Sequence, residues 1–185
     1  MEVTDALTEA TGLVDGLVAG LTPAHREMKT PCKEWTVHDL VNHMVNTSKT
    51  VAAMASADMS AMPTEGTDHL PEGPLNGWND GRAAIVAAAT GENLSALRET
   101  PFGEVPGAMV VSVGVADLLT HGWDLARATD QSIAPSDDLV AFGRQTWEMV
   151  IQPEARNGDA FDAEQPCADD ASAIDKLAAF TGRTV

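Results

Sequence analysis

The stretch AMVVSVGVADLLTHGWDLARAT, residues 108–129, decides the fold class. Its opening, Val110 to Val115, has the β-branched content of a strand. From Ala116 onward Leu118, Leu119, Trp123, Leu125 and Ala126 suit a helix and alternate poorly. Read whole, 108–129 is one buried helix, and the segments on either side agree. Residues 4–20 place Leu7, Ala10, Leu13 or Val14, Leu17 and Leu21 on one stripe, with Thr4 as the expected N-cap and Gly20 and Pro23 as terminators. Thr36 can cap a second helix, with Asp39 in its first turn and Leu40, Met44, Thr47, Val51 and Met54 along one face. A third helix is expected over 78–99, built on Trp78, Ile85, Val86, Leu94 and Leu97 and weakened by Gly91. Ser136 precedes a fifth over 137–151, and a short helix over 172–180 follows.

The expectation is therefore an all-α four-helix bundle with a short C-terminal helical appendage, residues 1–185 forming one domain. The polar connection from Ser60 to Gly77 is long for a bundle and suggests a crossover topology. The connections 60–77 and 152–170 are candidates for a substrate mouth or an interface.

Charge excludes several function classes. Eleven Lys and Arg against 28 Asp and Glu give a net charge of −17 with His neutral. Such a chain repels phosphate backbones and anionic lipid, so neither nucleic acid nor membrane is an expected partner. The start, MEVTDALTEA, lacks the basic and apolar segments of a signal peptide, and the expected location is cytoplasmic. Cys32 and Cys167 are too few for a disulfide scaffold and are expected as free thiols. No phosphate-binding loop, dinucleotide fingerprint or serine nucleophile elbow is present.

The chemistry-bearing residues lie on the deciding helix. Asp117 and His121 are four apart, so they stack on one face, on the side of Val110, Val113 and Gly114. A carboxylate and an imidazole on a core-facing surface need partners. A divalent metal would satisfy both, and so would a hydrogen bond between them. His43, on the second helix beside Leu40 and Thr47, can point into the bundle and complete a trio. Three ligands leave open positions, as catalytic zinc sites do. Asp124 has two roles open to it: orienting the His121 ring, or a salt bridge with Arg127 or Arg82, the latter being the simpler expectation. Trp35, Trp78, Trp123 and Trp147 are expected in the core, and Cys32 as a packing residue.

At these residues the chain resembles a known family. Thr30-Pro31-Cys32-Lys33-Glu34-Trp35-Thr36-Val37-His38-Asp39-Leu40-Val41-Asn42-His43 looks like the first signature of an actinobacterial DinB-like family. Asp117 to Thr129 resembles its second, an acid four residues before His and then WDLARAT, and Ala178 to Arg183 resembles its usual end. The characterised members are the metal-binding N-terminal domains of mycothiol-dependent maleylpyruvate isomerases. The resemblance implies a DinB-like bundle and a divalent metal, usually zinc with nickel or iron as alternatives, held by His43, Asp117 and His121. Asp117 stands where the isomerases have Glu, one methylene shorter. The isomerases also carry a further catalytic domain for which 185 residues leave no room.

The leading functional expectation is thus a metal-dependent transferase or isomerase that activates a thiol, with mycothiol as cosubstrate and an electrophile as second partner. The alternative is a non-catalytic metal- or small-ligand-binding module, or a stress-response protein. A bare helical scaffold with an internal Asp117–His121 bond is the third, and a homodimer is the self-association left open.

Overall fold

The computed structural model describes residues 1–100, 103–156, 158 and 161–185. Its longest element is α5, Gly107–Ala128, which is buried on nearly all sides from Val115 to Ala126. The valines that read as strand are helical because burial overrides their propensity: Val110, Val111 and Val115 pack inward. Gly114 allows the close approach, since a Cβ there would meet Ile85 and Val51 at 3.1 Å.

Three further helices complete the bundle. The first, α1, is Val3–Ala19, with Ala6, Leu7, Ala10, Val14, Leu17 and Val18 buried. Its N-cap is Glu2, two residues before the expected Thr4, and Glu2 makes no side-chain capping bond. The second, α2, is Val37–Ser56. Thr36 accepts from the Asp39 backbone N–H while the Asp39 carboxylate accepts from Thr36 N at 2.9 Å, a reciprocal cap at the expected place. The third, α3, is Pro74–Ala88, with Pro at its start.

The expected third helix over 78–99 is corrected. It starts earlier and stops at Ala88; Thr90 then caps a single turn, α4, Gly91–Ser95. Leu97–Thr100 (β1) and Gly103–Pro106 (β2) form an antiparallel hairpin, Leu97 opposite Pro106. Local polar bonds explain the break. The Thr90 hydroxyl accepts from Asn93 N, the Asn93 side chain donates to Ala88 O at 2.9 Å, and Arg98 Nε donates to Ala55 O at 2.6 Å near the end of α2. Val86 and Leu97, expected in the core, are 48% and 57% exposed. In the sequence Pro101 also serves as a breaker of the chain after this segment, and it lies outside the described residues.

Two more helices follow, α6 (Asp137–Val150) and α7 (Ala173–Phe180), capped by Ser136 and Ser172. The fold is all-α with a DinB-like arrangement, and among the described residues this small hairpin is its one sheet. Helix α5 packs on α1, α2, α6 and α7, while α3 packs on α2 and α1. The long connection 57–73 therefore joins neighbours, whereas the passages from α1 to α2 and from α3 to α5 each run between helices with little direct contact. Between α6 and α7 the chain is pinned by Arg156, which donates to Asp162 O at 2.9 Å and Phe180 O at 2.8 Å. Among the described residues no helix is long and apolar enough to cross a membrane.

Candidate metal centre

Helices α2 and α5 pack side by side, and this contact brings the predicted trio together. His43 Nε2 lies 3.6 Å from Asp117 Oδ1, and His121 Nε2 lies 3.5 Å from the same oxygen. Both separations are too long for good hydrogen bonds. They are close to the spacing of about 3.3 Å between two donors each roughly 2.0–2.1 Å from a tetrahedral zinc. One donor atom from each residue lies within 4.8 Å of the others. The second carboxylate oxygen, Asp117 Oδ2, is buried without a hydrogen-bond partner among the described residues. An orphaned buried carboxylate oxygen is costly unless something else satisfies it, and a cation would do so. The donor set, two imidazoles and a carboxylate, suits zinc and its neighbours.

Electrostatics within the trio are mutually reinforcing. Burial works against the charge on Asp117, but His121 and then His43 hold its carboxyl below the usual range. Burial likewise disfavours His43 protonation, and the Asp117 carboxylate outweighs it and raises the imidazole. The Trp35 ring covers both histidines, with centroids 4.7 Å from His43 and 5.8 Å from His121. The Thr47 hydroxyl sits 3.3 Å from His43 Nε2.

The other side of His121 is crowded. Asp124, one turn on, has no exposed side-chain surface and its Oδ2 is 2.8 Å from His121 Nδ1. Sequence favours a salt bridge from Asp124 to Arg127 or Arg82, and the structure places both elsewhere. Arg82 pairs with Asp15 at 3.2 Å, and Arg127 lies over the Trp123 ring. The cation on Asp124 is Arg183, which donates from Nη2 to Oδ2 at 2.9 Å and from Nε to Oδ1 at 3.2 Å. Burial opposes the Asp124 charge, yet the His121 and Arg183 contacts hold its carboxyl far below the usual range. Cys32 donates to Asp124 Oδ2 at 3.1 Å; burial and then that carboxylate push its thiol up to about 12, so it is protonated at neutral pH.

A cavity of about 330 Å³ opens over the trio. His43, Asp117 and His121 form part of its wall; Trp35, Trp147 and Phe161 supply apolar surface, and Lys33 and Asp162 meet at 2.9 Å. From the connection 152–170, Gly158, Phe161 and Asp162 line this cavity. Trp78, Trp123 and Trp147 are buried as expected, whereas Trp35 is a half-buried wall of the site. The remaining histidines stand apart: His38 beside Asp68, His69 beside Asn46, and His25 accepting from Thr22 N. Sequence reasoning missed Arg183 and the second role of Cys32. Both sit in the motifs quoted above, but neither spacing nor periodicity says that residues 32, 124 and 183 meet.

Residues 7–126 match the mycothiol maleylpyruvate isomerase N-terminal domain. The chain belongs to this family. The matched segment holds His43, Asp117, His121, Cys32 and Asp124, and stops before Trp147, Phe161 and Arg183. Family relatives include uncharacterized proteins from two Mycobacterium tuberculosis strains, CDC 1551/Oshkosh and H37Rv. Each is 38% identical over 160 residues, covering 84% of either chain. No solved structure matches significantly.

Proposed function

We propose that His43, Asp117 and His121 hold one divalent ion, zinc first, and that the chain uses it to bind and activate a small thiol for attack on an electrophile. The observation that carries the reading is the Asp117 carboxylate: its Oδ1 stands 3.5 and 3.6 Å from the two imidazoles, and its Oδ2 is buried with no hydrogen-bond partner among the described residues. An ion held by His43, Asp117 and His121 would supply the Lewis acidity that lowers the pKa of a thiol. The chain's own residues do the rest. Asp124 orients His121, Trp35 keeps water from both rings, and the Trp147–Phe161 wall receives the apolar part of a substrate. The family description supports mycothiol as the thiol. Residues 1–185 are read as one metal-binding domain acting in the cytoplasm.

A second reading, binding without turnover, is favoured by one observation. Lys33 is tied to Asp162, and Cys32 is held protonated by burial and Asp124. Neither is poised as a proton donor to a substrate. Elemental analysis of protein purified without chelator, beside His121→Ala, tests the site. About one divalent ion per chain, lost in the variant, is expected; no metal in either protein after reconstitution with zinc, nickel and iron overturns it. Consumption of mycothiol by the loaded protein with an electrophile panel then separates enzyme from binding module.

A further inference from the structure

His121 belongs to two overlapping donor groups. Through Nε2 it faces His43 and Asp117; through Nδ1 it faces Cys32 and Asp124, and the donor atoms of each group lie within 4.8 Å of one another. A ring nitrogen that carries a proton cannot ligate, so in a neutral ring the two groups compete for one imidazole. We infer that Arg183 decides this competition: by pairing with Asp124 it keeps the Nδ1 side a hydrogen-bonded support and directs a single metal to the Nε2 side. The inference rests on the metal-centre reading above and deepens it.

The argument begins at the end of α7. Gly182 has φ +99, and its N–H donates to Ala179 O while Arg183 N–H donates to Ala178 O, both at 3.0 Å. This pair of bonds is the Schellman termination, with Gly182 as the left-handed residue and Arg183 next after it. The turn aims Arg183 back across α5. The position demands glycine twice over, by its φ and because a Cβ would meet the Asp162 backbone at 2.8 Å. Arg183 is then fixed: its side chain is 11% exposed, Nη1 donates to Thr181 O at 3.2 Å, and Nε and Nη2 grip the two oxygens of Asp124. Nη2 also lies 3.8 Å from Cys32 Sγ.

The consequences differ on the two sides of the ring. On the Nδ1 side a fixed positive charge already occupies the carboxylate, repels a cation, and leaves Asp124 as acceptor for Nδ1–H. On the Nε2 side Asp117 Oδ2 has no such partner among the described residues. Arg183 is therefore a positioning residue. It lies outside the segment that matches the family, so this control comes from the tail of the chain.

The test uses the full chain, cobalt(II) as probe, and the variants Arg183→Met and Arg183→Lys. The wild type is expected to bind one cobalt per chain without a thiolate-to-cobalt charge-transfer band, and Arg183→Lys to behave alike. Arg183→Met is expected to bind about 10–100-fold more weakly at the histidine trio. It should also gain the band, as the Cys32 S–H proton passes to solvent and a sulfur–cobalt bond forms; adding Cys32→Ser should remove it. An Arg183→Met protein with wild-type affinity and no band overturns the inference alone. A wild type that binds no cobalt overturns it together with the metal-centre reading. Nitrogen-15 NMR of the metal-free wild type keeps the test decisive even if Arg183→Met fails to fold: Nδ1-protonated His121 is expected, and Nε2-protonated His121 overturns the inference.

Discussion

Each side of His121 presents an aspartate, and the two aspartates behave oppositely. Toward Nε2 stand a carboxylate and an imidazole at 3.5–3.6 Å spacing, with one oxygen left without a partner among the described residues. Toward Nδ1 stands a carboxylate whose oxygens meet an imidazole, a thiol and a guanidinium at 2.8–3.2 Å. The first arrangement is tolerable only if something else binds there. The second is complete without a ligand. A polar group's partners, and not its burial, separate a site from a scaffold.

The sharpest way to break this comparison is to delete each carboxylate in turn from metal-free protein. Asp124→Ala leaves Arg183 buried and uncompensated, a change that costs about 3–5 kcal/mol in comparable ion pairs. Asp117→Leu removes an orphan that makes no good hydrogen bond, and its cost is expected to stay within about 1 kcal/mol. Urea denaturation in chelator measures both. Equal losses would show that Asp117 is as structurally engaged as Asp124 and would sink the distinction.

Metal addition reverses the ranking. Zinc at about 100 times its dissociation constant stabilises wild-type protein by about 2.7 kcal/mol by mass action, and chelator removes the gain. Asp117→Leu, harmless without metal, is expected to lose most of this gain. Thermal melts with and without zinc check it, and a wild-type melting temperature indifferent to zinc would contradict the assignment.

A smaller effect concerns the helix that presents His43. Thr36→Ala removes the α2 cap and is expected to cost about 1 kcal/mol. It also has a pH signature. Hydrogen bonds from the Thr36 side chain and then its backbone hold the Asp39 carboxyl below the ordinary range. The contribution is thus complete above the unfolded value of about 3.9 and fades as pH falls through the lower folded value. Wild-type stability should decline more steeply than that of Thr36→Ala on acidification below about pH 4. Parallel curves would mean that the Asp39–Thr36 pair does not stabilise the helix in solution.

What sequence could reveal divides along similar lines. The trio was legible because i, i+4 spacing on α5 and one histidine on the inward edge of α2 are local facts, and helix packing joins them without further information. Arg183 was not legible, because a contact spanning 59 residues depends on where the Schellman turn at Gly182 sends the chain. The break at Ala88 failed for a different reason. The apolar spacing of 78–99 continues through it, while Thr90, Asn93 and Arg98 satisfy backbone groups locally and end the helix.

That last region supplies the control for the comparison and the smallest expected effect. A helix running through residue 97 would bury Leu97, and truncating a core leucine costs about 2–5 kcal/mol. In the hairpin Leu97 opposes Pro106 and is 57% exposed, so Leu97→Thr keeps a β-favouring residue and loses little contact. A change within about 0.5 kcal/mol in urea denaturation is expected, as for surface sites generally. Such a result would tie the large Asp124 penalty to its own network, because a bundle that is fragile everywhere would register the loss at Leu97 as well. A penalty of core size at Leu97 would restore the longer helix and remove that control.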